Sequence, residues 1–205
     1  MTEQYLYVVF SSTPYRIGKA IRRITGEAYN HVCISLNADL NPMYGFSRRY
    51  YHTPFYGGFV QESLSRYHLN GQAANIRVCR LPITRKQYDT LNQHIGQMLK
   101  QQARYLYNYL SAVCVPFRKR VNVKDSYICI EFATCILHSI GLDVDPETFY
   151  SVGDLEQLLR PYAIYTGPAP QTEVCDAVYY AKKPIPHPVI TTLTSFLSLL
   201  KRLGQ

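Results

Sequence analysis

Cys129 is the strongest candidate for chemistry in this chain. It lies in D-S-Y-I-C-I-E-F-A-T-C-I-L-H-S-I-G-L, residues 125–142, whose pattern predicts one helix. Asp125 and Ser126 are both helix-capping residues, because a short side-chain oxygen accepts a bond from an unpaired backbone N–H. Ile128, Phe132, Ile136 and Ile140 recur at helical spacing and predict a buried apolar face. Gly141 suits the left-handed residue that ends many helices. Cys129 then falls in the first turn, where the helix dipole and free N–H groups stabilise a thiolate. A thiolate is the nucleophile of covalent acyl transfer. The competing reading is structural, with Cys129 as one more small apolar residue on the buried face.

A thiolate needs a base, and the base needs an orienting partner. Of the histidines, His52 and His68 fall in expected loops, and His94 in a long helix. His138 is late in the cysteine helix, and His187 lies between prolines. His31 stands at the edge of the clearest strand, H-V-C-I-S-L, where its ring would be held. A purely structural strand histidine is the alternative. Val32, Ile34 and Leu36 are expected to point into the core. His31, Cys33 and Ser35 point the other way, small and polar enough for a helix to pack close against them.

The elements that must hold these residues are legible in order. Tyr5 to Phe10 reads as a strand. Ser11-Ser12-Thr13-Pro14 reads as a cap with proline at the first helical position. The helix that follows carries Ile17, Ala20, Ile21 and Ile24 on one face, and Arg16, Lys19, Arg22 and Arg23 on the other, and stops at Gly26. Met43–Ser47, Gly58–Ser63 and Asn75–Leu81 read as further strands, with an aromatic, basic loop from Arg48 to Gly57. Thr84 caps a long helix to about Arg104, with Tyr88, Leu91, Ile95 and Met98-Leu99 as its buried stripe. Tyr105–Cys114 is open between a short helix and irregular chain. Ser151–Asp154 starts a short helix, and Tyr162–Thr166 reads as a last strand.

Pro184, Pro186 and Pro188 form a stiff linker to an amphipathic helix over 189–203. The expected organisation is therefore a domain over residues 1–183 with an appended linker and helix over 184–205. That helix suits membrane-surface contact, or packing on its own domain or on a second subunit as a homo-dimer.

With 205 residues, 47% hydrophobic and 18% charged, the chain is a folded globular protein and not a disordered one. Its formal charge of +8 is dispersed, which marks a solvated surface, and no nucleic-acid motif accompanies it, so nucleic acid is not an expected partner. The six cysteines include no C-x-x-C pair, so neither a metal nor a cofactor is expected. M-T-E-Q-Y-L-Y-V-V-F lacks a basic n-region and a sustained apolar run, so reduced thiols and a cytoplasmic location are expected.

Y-N-H-V-C-I-S-L-N (29–37), M-Y-G-F-S-R (43–48), G-G-F-V-Q-E (57–62) and Y-I-C-I-E-F (127–132) together resemble the circularly permuted NlpC/P60 family, the YiiX/YaeF/YycO-like branch of the papain-like cysteine hydrolases. In that family the histidine strand comes before the cysteine helix, as His31 and Cys129 do here. The resemblance runs from about Tyr5 to Gly167. It implies an α+β, permuted papain-like fold, a small antiparallel sheet with the nucleophile helix packed on it. It also implies roles: Cys129 attacks an acyl carbonyl, His31 is the base, and a polar group on a following strand orients His31. Glu62 is the choice for that group. A surface salt bridge is its bland alternative, and Asn37 or Ser47 are substitutes. The Cys129 backbone N–H would bind the oxyanion, with a hydroxyl from Tyr107 or Tyr127. The pocket would be built by Arg48–Gly57 and Tyr105–Tyr109. Glu131 is read as structural, and Cys33 stands where such strands often carry serine.

The expected activity is that of a cysteine hydrolase (amidase, peptidase or acyl hydrolase) with a thioester intermediate and a small amide, peptide or acyl substrate. A non-catalytic binding domain for a small molecule, peptide or lipid on the same scaffold, and a lipid acyltransferase, are the alternatives.

Overall fold

The computed structural model describes residues 3–182 and 187–203. In chain order the elements are β1 (Gln4–Ser11), α1 (Arg16–Thr25), β2 (His31–Ser35), β3 (Met43–Arg48), β4 (Gly57–Glu62), β5 (His68–Leu69), β6 (Gln72–Ala73), β7 (Asn75–Ile83), α2 (Arg85–Lys100), β8 (Leu106–Tyr107), α3 (Tyr109–Cys114), β9 (Ser126–Tyr127), α4 (Cys129–Ser139), α5 (Val152–Leu159), β10 (Ala163–Pro168), α6 (Ala177–Tyr180) and α7 (His187–Arg202). The class is α+β. The sheet is larger than expected, eight strands in the order β10-β7-β1-β2-β3-β4-β8-β9. Its pairs are antiparallel except β8 with β9, which run parallel.

The sheet is covered on both faces, and alternation along β1 shows how. Leu6, Val8 and Phe10 join one apolar cluster with Leu91, Ile95 and Met98 of α2, Phe132 and Ile136 of α4, and Leu155 and Leu159 of α5. Tyr7 and Val9 face a second cluster, closed by Leu64 and Tyr67 from a 3-10 turn after β4. This corrects the expected packing on β2. Helix α4 shares its cluster with Val32 and Ile34, while Cys33 lies in the opposite layer.

Two helix starts also differ from expectation. Helix α4 begins at Cys129, not near Asp125, because Ser126 and Tyr127 pair with Leu106 and Tyr107. Asp125 takes a left-handed conformation and bonds Arg104 at 2.9 Å. The helix is capped from inside instead, by the Glu131 carboxylate reaching back to the Ile128 N–H at 2.8 Å. Helix α1 begins after Tyr15, and Ser12 is drawn off to bond the Asn75 N–H at 3.0 Å. By contrast Thr84 caps α2 as expected, its hydroxyl accepting from the Gln87 N–H at 3.2 Å. Gly141 closes α4 at φ 86°.

The open segment 105–114 resolves into β8 and α3, with Asn108 capping α3. Pro184 and Pro186 of the expected linker lie outside the described residues. Helix α7 packs on this domain through Leu199, which is buried with Leu106 and Val123, and through Arg202, which bonds the Arg104 carbonyl at 2.8 Å. Among the described residues no helix is long and apolar enough to cross a membrane.

Candidate active site

Three separate stretches deliver polar side chains to one place. His31 is the first residue of β2 and Glu62 the last of β4, two strands that flank β3. Cys129 is the first residue of α4, the helix packed on β2 and β3. All three line a cavity of about 310 Å³, although each is nearly buried: Cys129 is 6% exposed, His31 7% and Glu62 3%. His31 Nε2 lies 3.2 and 3.3 Å from the two Glu62 oxygens. The Cys129 thiol lies close enough to His31 to act on its charge. Glu62 is therefore a buried partner of the imidazole and not a surface residue.

The charges follow from this geometry. Burial alone would push the His31 imidazole down, but the Glu62 carboxylate and the bonds to Cys129 and Glu62 carry it up, to about 10. Burial would push Glu62 up, but the imidazole beside it, then Arg66 and the Ser47 hydroxyl, hold it down at about 2. The pair is thus an imidazolium and a carboxylate at neutral pH.

Beneath this pair lies a layer the sequence did not reveal. Tyr67 donates its hydroxyl to Glu62 Oε2 at 3.1 Å and lies 3.2 Å from the Cys33 sulfur. Arg66 is buried and bridges outward to Asp176 at 2.7 Å. It also donates to Ser47 at 3.3 Å. Asp176 belongs to the segment beyond Gly167, so the tail folds back onto the site. It also supplies Tyr179, whose ring lies under the Arg66 guanidinium at 4.1 Å and lines the cavity. Nothing in S-L-S-R-Y or in the tail marks Arg66 and Asp176, because their pairing closes a separation of 110 residues.

The remaining site residues divide. Tyr107 lines the cavity near Cys129, and burial pushes its phenol up, keeping it a neutral donor. Tyr127 is not among the lining residues, because its ring packs against Phe46 at 5.3 Å. Tyr109 does line the cavity, and its buried hydroxyl has no hydrogen-bond partner among the described residues. Asn37 is exposed in the turn after β2 and bonds the Asn41 carbonyl, whereas Ser47 lines the cavity and accepts from Arg66. From the expected pocket-building stretches, Arg48, Pro54, Phe55, Tyr107 and Tyr109 line the cavity. Helix α1 is the unexpected wall, through Ile17, Gly18 and Ile21.

His31, Cys33 and Glu62 also place one ligand atom each within 4.8 Å of one another, a spacing that could hold a metal ion. Here those atoms satisfy one another and Tyr67. Burial, then the Glu62 charge, pushes the Cys33 thiol well above its ordinary range, so it is a poor competitor as nucleophile or ligand.

No protein-family model, curated protein or solved structure matches this chain.

Proposed function

We propose that this protein is a cysteine hydrolase of the permuted papain-like type, acting on an amide, peptide or acyl ester through a thioester. One observation carries the reading: Cys129, His31 and Glu62, drawn from α4, β2 and β4, line the same cavity, with the imidazole 3.2 Å from the carboxylate. A solvent-reachable cavity ending on a thiol, a base and a buried orienting carboxylate is what nucleophilic acyl chemistry requires.

In this mechanism the Cys129 proton already resides on His31 as the imidazolium, and the thiolate sulfur bonds the substrate carbonyl carbon. The oxyanion forms against the Cys129 backbone N–H, which at the first residue of α4 has no carbonyl of its own helix to bond. As the bond to the leaving nitrogen or oxygen breaks, the imidazolium donates its proton to it. Water then attacks the thioester, the now neutral His31 takes one of its protons, and release of the acid restores the thiolate beside the imidazolium. Glu62 keeps the ring oriented and stabilises its cation in both halves.

The test is alkylation by iodoacetamide, followed residue by residue with peptide mass spectrometry. Cys129 should react fastest despite its burial, and His31→Ala should slow it by about 100-fold or more. The more exposed Cys175 and Cys114 serve as internal standards. A rate at Cys129 indifferent to His31 would remove the hydrolase reading and leave a binding cavity.

A further inference from the structure

Helix α1 is amphipathic, yet its apolar arc is not covered by the other described residues. Ile17 is 45% exposed, Ile21 37% and Ile24 69%. The single residue that α1 buries is Gly18. A Cβ there would collide with the Thr13 hydroxyl, so the helix rests on Thr13 and Asn30 by its narrowest face. Arg22 fastens the same face through the Thr13 carbonyl at 3.0 Å and the Asn30 side-chain oxygen.

The uncovered arc is continuous with the cavity. Ile17 and Ile21 line it, and exposed Phe55 and Val113 line it from the facing loop and from α3. An exposed apolar rim around a cavity that ends on a nucleophile calls for an apolar occupant. The sequence of α1, R-I-G-K-A-I-R-R-I-T, holds no acidic residue. At 100° per residue Arg16, Lys19 and Arg23 form a second exposed arc beside the isoleucines. Isoleucines flanked by cations on a helix of low mean hydropathy are the pattern of a helix lying in a lipid headgroup layer. A second copy of the same face is disfavoured, because it would set these cations opposite one another.

We propose that the rim of the cavity docks on an anionic lipid surface, with α1 lying in the interface. A substrate bearing an apolar chain then passes from the bilayer between Ile17, Ile21, Phe55 and Val113 to Cys129 without crossing water. The docking stands on the surface alone; only the last step, attack by Cys129, rests on the hydrolase reading.

The chain contains no tryptophan, so Ile24→Trp gives a single indole on the docking arc. The full-length variant is mixed with phosphatidylcholine vesicles containing phosphatidylglycerol, beside vesicles of phosphatidylcholine alone. The expected result is co-sedimentation about tenfold or more stronger with the anionic vesicles, with a blue-shifted indole quenched by brominated lipid. Ile21→Ser with Ile24→Asp should remove most of that binding while circular dichroism stays native. Leu197→Ser, on the exposed face of α7, should not.

Failure to co-sediment, equal binding to both vesicle types, a co-sedimenting protein with an unquenched indole, or loss through α7 instead of α1 would each overturn the proposal. So would a concentration-dependent dimer that Ile24→Asp dissolves. Cys129→Ala should bind vesicles like the wild type, so docking without thiol chemistry, or thiol chemistry without docking, tells the two proposals apart.

Discussion

Two of the helices that border the cavity, α4 and α1, are held in opposite ways. Helix α4 buries Cys129, Ile130, Glu131, Phe132, Ala133, Thr134, Ile136 and Leu137, nearly its whole circumference. Helix α1 buries Gly18 alone and turns its isoleucines outward. One carries the candidate nucleophile and the other carries a wall. The difference teaches where precision is kept: a reacting sulfur must be held within a fraction of an ångström of its partners, so it sits on the best-packed helix. A wall that admits substrate needs only shape and surface chemistry, and weakly held elements supply the motion that entry requires.

The sharpest break of this comparison is a pair of truncations. Phe132 is 3% exposed and packs against Phe46 and Phe59 at 5.5 and 5.4 Å. Phe132→Ala should cost about 3–5 kcal/mol, because the aromatic cluster cannot close over the missing ring. Ile24→Ser, from a residue 69% exposed, should stay within about 0.5 kcal/mol. Urea unfolding of both variants measures the contrast. Comparable losses would mean that α1 is packed against something in solution.

A smaller effect separates floor from wall by pH. His31 is raised from 6.5 to about 10, so its stabilisation is complete below pH 6.5 and is lost as the pH climbs toward 10. Glu62 is lowered from 4.5 to about 2, so its stabilisation is complete above pH 4.5 and is lost as the pH falls toward 2. The pair contributes fully only between those ordinary values. Thermal melts should show stability declining on the alkaline side above pH 6.5, and Glu62→Gln should flatten that decline. Ile21→Ser, on the wall, should leave the profile in place. An alkaline limb unchanged in Glu62→Gln would break the assignment of the ion pair.

The same contrast explains how much could be read from the sequence. The isoleucine stripe of α1 and the Leu91, Ile95, Met98 stripe of α2 carry one signal, apolar residues at helical spacing. Periodicity identifies an apolar face but not whether the chain itself covers it: α2 meets the sheet, and α1 meets solvent and the cavity. His31 and Cys129 were legible because each was expected near the end of a well-patterned element, whereas Glu62 was chosen through the family resemblance. Arg66 and Asp176 were not, because each finds its partner 110 residues away, and Tyr67 was not, because it meets Cys33 of β2 only in the folded layer. The helix start near Asp125 was misread for the same reason. Local capping chemistry lost to a strand pairing with residues 106–107, which no local pattern announces.

The smallest predicted effect tests what seats α1. Gly→Ala inside a helix ordinarily stabilises by about 0.5–1 kcal/mol, because alanine has less backbone freedom to lose. Gly18→Ala should reverse that sign. The added Cβ meets the Thr13 hydroxyl and the Asn30 amide nitrogen, which already bond each other at 2.7 Å, and the Thr13 carbonyl behind them. Overpacking of this kind costs about 1–3 kcal/mol, which leaves a net loss of about 1 kcal/mol after the helical gain. Because α1 is joined to the molecule at this seat, the loss should appear as faster amide exchange in residues 16–25, with α4 unchanged. A stabilised Gly18→Ala protein with unaltered exchange would show that α1 is seated elsewhere, and the contrast between floor and wall would need redrawing around that contact.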